Sequence, residues 1–152
     1  MMGVHIHIDA AASRSGGALP DAEALAALLE RAVRSVLDAH GIRDAEISVA
    51  LMDDAAIAEM NRRYLAHEGP TDVISFELGT AGDMPVGDIY IGWQQALRQA
   101  EALGVEPREE LARLAVHGAL HVLGYEHPEG EEREESEMWQ RQEAILREVL
   151  AR

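Results

Sequence analysis

The segment HGALHVLGYEHP, from His117 to Pro128, constrains this chain more than any other. His117 and His121 are four residues apart, so on a helix both imidazoles stand on one face, one turn apart. Gly124 follows the last apolar residue, Leu123, and is placed to end that helix in a left-handed turn. Tyr125 and Glu126 then carry the chain round, so that His127 folds back towards the first two rings. The segment thus dictates a helix with a defined stop and a loop that returns on it. Three neutral imidazoles converging this way form a tripod for a borderline metal such as zinc, one ion per chain, with a fourth position open. An open position means water, which zinc brings close to ionisation at neutral pH. The chemistry implied is metal-assisted hydrolysis. A closed structural site is the alternative. The chain has no Cys, so the fourth ligand would then be Glu126 or Glu129.

The 152 residues suffice for one domain with a real core, expected to span residues 1–152. No apolar run reaches the length of a membrane span, and the first residues lack the pattern of a secretory signal. Absence of Cys fits a reducing compartment, and the cytoplasm is the expected location. The formal net charge is -15, and all 13 basic residues are Arg. Such acidity argues against broad non-specific binding to nucleic acid, and no DNA partner is expected. It leaves room for a local positive cleft, to which Arg62, Arg63 and Arg113 are the candidates, together with the two charges of a bound zinc.

Val4, Ile6 and Ile8 alternate with His5 and His7 as a half-buried strand. His5 and His7 read as its exposed face rather than as a second metal pair. Residues 10–20 read as a loop. Pro20, Asp21 and Glu23 open a helix that His40-Gly41 ends. Ile47, Val49 and Leu51 mark a second strand, and Asp53 is the expected N-cap of a short helix carrying Ile57, Met60 and Tyr64. A third strand lies in HEGPTDVISFEL, with Ile74, Phe76 and Leu78 on one face. GTAGDMPVG reads as a loop and Asp88–Gly92 as a fourth strand. Helices follow at about 93–103 and 108–123, then an acidic run that reads as a solvated start of a last helix. Strands come first and helices last, which predicts an α+β domain. It would hold a small four-stranded mixed sheet packed with helices, with the metal site at the end of a helix in the C-terminal half.

HGALHVLGYEH resembles the pattern H-G-x-L-H-L-x-G-[YH]-D-H of the YbeY family of bacterial rRNA-maturation endoribonucleases. NRRYLAHEGPTDVISFEL resembles that family's N-x-x-[YF]-R-x-x-D-x-P-T-D-V-L-S-F, and VGDIYI its L-G-D-I-V-I. The resemblance covers roughly residues 4 to 150. It implies metal-dependent cleavage of single-stranded RNA, serving 3′-end maturation of small-subunit rRNA and ribosome quality control. It also implies the small ribosomal subunit or its assembly factors as partners, and His117, His121 and His127 as metal ligands. Two positions depart from the pattern. Leu65 stands where the family has an arginine, which leaves Arg62 or Arg63 to supply any cation there. Glu126 stands where Asp is usual, keeping the charge on a longer arm.

From the residues alone the readings are wider. H-x3-H-x5-H is also metzincin spacing, but those peptidases place a Glu general base directly after the first His, and here that residue is Gly118. Gly118 instead points to close packing of helix against sheet. A zinc peptidase-like hydrolase and a non-catalytic ribosome-associated module with structural zinc remain the rivals to the nuclease. For the nuclease, either water or the RNA's own 2′-OH is the nucleophile, and Glu126 is a candidate for proton transfer. Asp72, Ser75 and Asp88 read as capping, turn and sheet-edge residues.

Overall fold

Strict alternation puts Val4, Ile6 and Ile8 of β1 (Val4–Asp9) against the core and leaves His5, His7 and Asp9 exposed. This computed structural model describes residues 3–10, 22–81, 84–125 and 136–151. Pro20, Asp21, nearly all of the loop expected at 10–20, Glu126, His127, Glu129 and the acidic run up to Glu135 lie outside the described residues.

The chain continues through α1 (Ala22–Ala39), β2 (Ala45–Met52), α2 (Asp54–Leu65), β3 (Val73–Ala81) and β4 (Met84–Gly92). Three helices complete it: α3 (Trp93–Leu103), α4 (Pro107–Val122) and α5 (Glu137–Leu150). The four strands form one mixed sheet in the order β1-β2-β4-β3, with β3 antiparallel to β4 and the other pairs parallel. Parallel neighbours need a crossover, and α1 supplies it between β1 and β2. Helices α1 and α2 therefore interleave with the strands, as the expected order of elements has them. Strands first, helices last holds only for the second half of the chain, where α3, α4 and α5 follow β3 and β4.

Register aligns the apolar positions. Ile8 pairs with Val49, Val49 with Ile89, and Leu51 with Ile91. These rows form the sheet face that, with α1, α4 and α5, encloses the main core. Asp53 caps α2 as expected, its carboxylate accepting from the Ala56 N–H at 2.8 Å. Ser136 does the same for α5, accepting from the Trp139 N–H at 3.1 Å. Of the acidic run, only Glu137 stands in the first turn of α5 among the described residues.

Two expectations need correction on the β3–β4 hairpin. Much of GTAGDMPVG, which reads as loop, is strand: Thr80 pairs with Pro85 and Ala81 with Met84. The partner strand offers pairing that Gly- and Pro-rich composition does not announce. The register shifts between Glu77 and Thr80, and this breaks the alternation at Leu78. Leu78 is 56% exposed, so it does not share the burial of Ile74.

Helix α4 runs through the centre and is buried on nearly every side. Two glycines let it cross the sheet closely. A Cβ on Gly118 would meet Ile89 Cγ2 at 2.6 Å, and one on Gly87 would meet Val122 Cγ1 at 2.5 Å. The close packing inferred at Gly118 is what the structure has.

Candidate active site

The turn at the end of α4 follows from its sequence. Gly124 adopts φ 98°, its N–H donates to the His121 carbonyl at 2.9 Å, and the Tyr125 N–H reaches back to the Leu120 carbonyl at 3.1 Å. This pair of bonds is a Schellman motif, which needs a residue tolerant of positive φ at its centre. It stops the helix just after His121. Residue His127, the third expected ligand, lies outside the described residues.

His117 and His121 do converge. Their Nε2 atoms are 3.1 Å apart, with ring centroids at 4.6 Å and planes at 76°. Two nitrogens each about 2.1 Å from a tetrahedral ion stand about 3.4 Å apart, so the pair fits a shared metal. His117 is buried, and its Nδ1 lies 2.6 Å from Gln142 Oε1 on α5. Among the described residues no group of three potential ligands forms, and His5 and His7 stay on the exposed face of β1.

Both rings line a cleft of about 960 Å³. Its walls come from Asp72 and the start of β3 (Ser75, Glu77), from α4 (Glu110, Arg113, His117, His121) and from α5 (Trp139, Gln142, Glu143). Leu65 and Leu103 stand at its apolar rim, 45% and 62% exposed.

Arg113 is not a spare cation for a substrate. It donates to Glu109 at 3.2 Å, to Glu110, and through Nε to Glu143 at 3.0 Å. Burial works against its charge, but the bonds to Glu143 and Glu110 outweigh it and hold the guanidinium above its usual pKa. Glu110 is 3% exposed; burial raises its pKa, and Arg113 opposes that shift without cancelling it. Arg62 pairs with Glu59 on the exposed surface, and neither Arg62 nor Arg63 lines the cleft. The described lining thus carries four acidic side chains against Arg113 alone. Such a lining repels phosphate until a cation is present.

Asp72 has the structural role expected. One oxygen accepts from the Val73 N–H at 2.8 Å and the other from Gln99 Nε2 at 3.1 Å, tying β3 to α3. Asp88 accepts from the Tyr90 hydroxyl at 3.4 Å. Ser75 differs: its buried Oγ has no hydrogen-bond partner among the described residues and lies under Gly118.

Sequence reading missed Glu110, Gln142 and Glu143. Glu110 had a weak signal, three residues before Arg113. Gln142 and Glu143 had none, because only the docking of α5 on α4 brings them in.

The sequence model of the Endoribonuclease YbeY family matches residues 12–150. The Endoribonuclease YbeY of Pelotomaculum thermopropionicum is 44% identical over 119 residues, which cover 73% of this chain and 78% of that protein. That of Moorella thermoacetica is 42% identical over 139 residues, covering 84% and 88%. The chain belongs to the YbeY endoribonuclease family. YbeY proteins are, by that name, hydrolases of RNA phosphodiester bonds. A solution structure of a Thermotoga maritima protein shares the fold, with a TM-score of 0.64 and 22% identity, over 97% of this chain and 89% of that one. Within the YbeY pattern the departure at Leu65 falls on the cleft rim itself, while the flanking Arg62 and Arg63 do not reach it. No helix among the described residues is long and apolar enough to cross a membrane.

Proposed function

We propose that this chain is a zinc-dependent endoribonuclease specific for single-stranded RNA, acting in the cytoplasm in 3′-end maturation of small-subunit rRNA and in ribosome quality control. The observation that carries the metal reading is the 3.1 Å approach of His117 Nε2 to His121 Nε2 on the cleft wall. His127, six residues beyond His121, is the third ligand in this reading. A zinc ion held there supplies Lewis-acid stabilisation of the phosphate charge and a lowered pKa for water.

The chain's own residues do the rest. His117 and His121 present nitrogens from one helix face. Gln142 orients His117 from behind. Asp72, Glu110 and Glu143 make the cleft dependent on a cation before a phosphodiester is tolerated. Leu65, Leu103 and Trp139 offer apolar surface to unstacked bases, which single strands expose and duplexes do not. Glu126 is the nearest carboxylate in sequence for proton transfer. The small ribosomal subunit or its assembly factors would bring the substrate.

Peptidase chemistry is disfavoured by Gly118. The position that would hold the general base is closed by Ile89 and Ser75, so no carboxylate fits there. The test compares native protein with His117→Ala for zinc content, cleavage of single-stranded RNA and hydrolysis of casein. RNA cleavage that vanishes with zinc in the variant supports the reading. Casein hydrolysis lost in the same variant would overturn it.

A further inference from the structure

We propose that Gln142 is a positioning residue that sets the tautomer of His117, and that Glu143 decides which way the Gln142 amide points. The importance for metal binding rests on the functional reading above; the tautomer itself does not.

A primary amide fits a buried slot in either of two orientations, since its oxygen and nitrogen are similar in size. Gln142 is 2% exposed, so water does not choose between them. Its neighbours do. The Glu143 carboxylate only accepts hydrogen bonds, and Gln142 Nε2 donates to Glu143 Oε2 at 3.0 Å. That commits Oε1 to His117 Nδ1 at 2.6 Å. A carbonyl oxygen cannot donate, so Nδ1 carries the hydrogen. In the neutral ring Nε2 then keeps its lone pair, and this is the nitrogen that faces His121. The opposite amide orientation would put N–H groups against Nδ1 and move the ring hydrogen to Nε2, blocking the nitrogen that a metal needs.

Glu143 is itself held. Arg113 Nε donates to its Oε2 at 3.0 Å, and Arg113 Nη2 to its Oε1 at 3.3 Å. Arg113 stands on α4 one turn before His117. The ion-pair cluster on that helix therefore crosses to α5 and returns to α4 as a chosen tautomer. A hydrogen bond at the second ring nitrogen also raises the basicity of a ligating imidazole.

The experiment uses the full chain. Two-bond proton–nitrogen correlation spectra of the metal-free protein report which ring nitrogen of His117 is protonated. Zinc affinity is measured by competition with a chromophoric chelator. The native protein is expected to show His117 with hydrogen on Nδ1. Gln142→Leu should lose that preference and bind zinc about 10–100-fold more weakly. The exchanged pair Gln142→Glu with Glu143→Gln, which keeps an acceptor towards Nδ1, a donor between the two side chains and the net charge, should recover both to within a few-fold. Glu143→Ala, at a partly exposed position, should shift the tautomer with the fold intact, and it carries the test if Gln142→Leu does not fold. An unchanged Nδ1–H signal and native zinc affinity in Gln142→Leu and Glu143→Ala overturns the proposal. Native protein that binds no zinc removes the metal reading, while the tautomer shift still decides the role of Gln142.

Discussion

The Tyr125 hydroxyl and His40 Nε2 are 2.8 Å apart, a hydrogen bond between residues 85 positions apart in the chain. His40 Nδ1 donates to the Val36 carbonyl at 2.8 Å, so in the neutral ring Nε2 accepts and the tyrosine donates. The rings also meet edge to face at 5.4 Å. The C-terminus of α1 thereby holds the residue that follows the Gly124 turn, at the start of the path to His127. Tyr125→Phe keeps the ring contact and removes the bond. Stability should fall by about 1 kcal/mol. For a domain of this size that is a drop of about 2–4 °C in Tm, read by thermal denaturation.

Removing one of the proposed ligands should separate metal binding from folding. His121 is only partly buried, and the core is built from the sheet and the helices around it. His121→Ala should abolish RNA cleavage and weaken zinc binding by more than the roughly 10–100-fold that an outer-shell loss costs. Its circular dichroism spectrum should match the native one. A variant as unfolded as a zinc finger without zinc would make the site structural.

Gly118→Ala adds a Cβ within 2.6 Å of Ile89 Cγ2. Overpacking of this kind costs about 1–3 kcal/mol, and alanine's better helix propensity returns up to about 1 kcal/mol. A net loss of about 1–2 kcal/mol is expected in urea denaturation. Native-like stability would show that α4 can lift from the sheet at no cost.

Leu65→Arg should place a cation on the cleft rim. The native chain, with Arg113 committed to glutamates, should bind single-stranded RNA with a shallow log–log salt slope of about -1 to -3. Each added phosphate contact on a single strand steepens the slope by about 0.7. Fluorescence anisotropy titrations across salt concentrations should show that increment in the variant, with tighter binding at low salt.

Glu110 should leave a mark on acid stability. Its folded pKa is raised, chiefly by burial, against the pull of Arg113. Protonating Glu110 is thus easier in the folded chain than in the unfolded one. Its contribution to stability is fully present below the unfolded value, near 4.5, and is lost as pH rises through the folded value. Glu110→Gln has no such titration and still accepts a bond from Arg113. The difference in denaturation midpoint between native and variant should change across the weakly acidic range above 4.5, with the native protein losing ground as pH rises. A flat difference would mean that Arg113 cancels the burial.

The approach of His117 to His121 in the candidate site was legible along the chain because helix geometry is local. A spacing of four residues puts His117 and His121 on one face whatever surrounds them. Gly124 stops the helix because only a residue free to take positive φ completes that turn. Alternation in β1 and β2 named the core face before any partner strand was known, and Asp53 named its own cap. The extended β3–β4 hairpin was not legible, because pairing and the register shift at Glu77 and Thr80 belong to two strands at once. Nor was the fate of Arg113. A sequence shows a cation one turn before a histidine; only the packing of α5 shows it bound to Glu143. Gln142 and His117 are 25 residues apart and on different helices. Their contact depends on where two helices come to rest against a common sheet, a sum over many weak packing terms that no local pattern records. Four-residue spacing brings the two imidazoles together on α4 with no help from the rest of the chain, whereas the docking of α5 sets which nitrogen of His117 meets Gln142, which meets His121, and what charge lies around them.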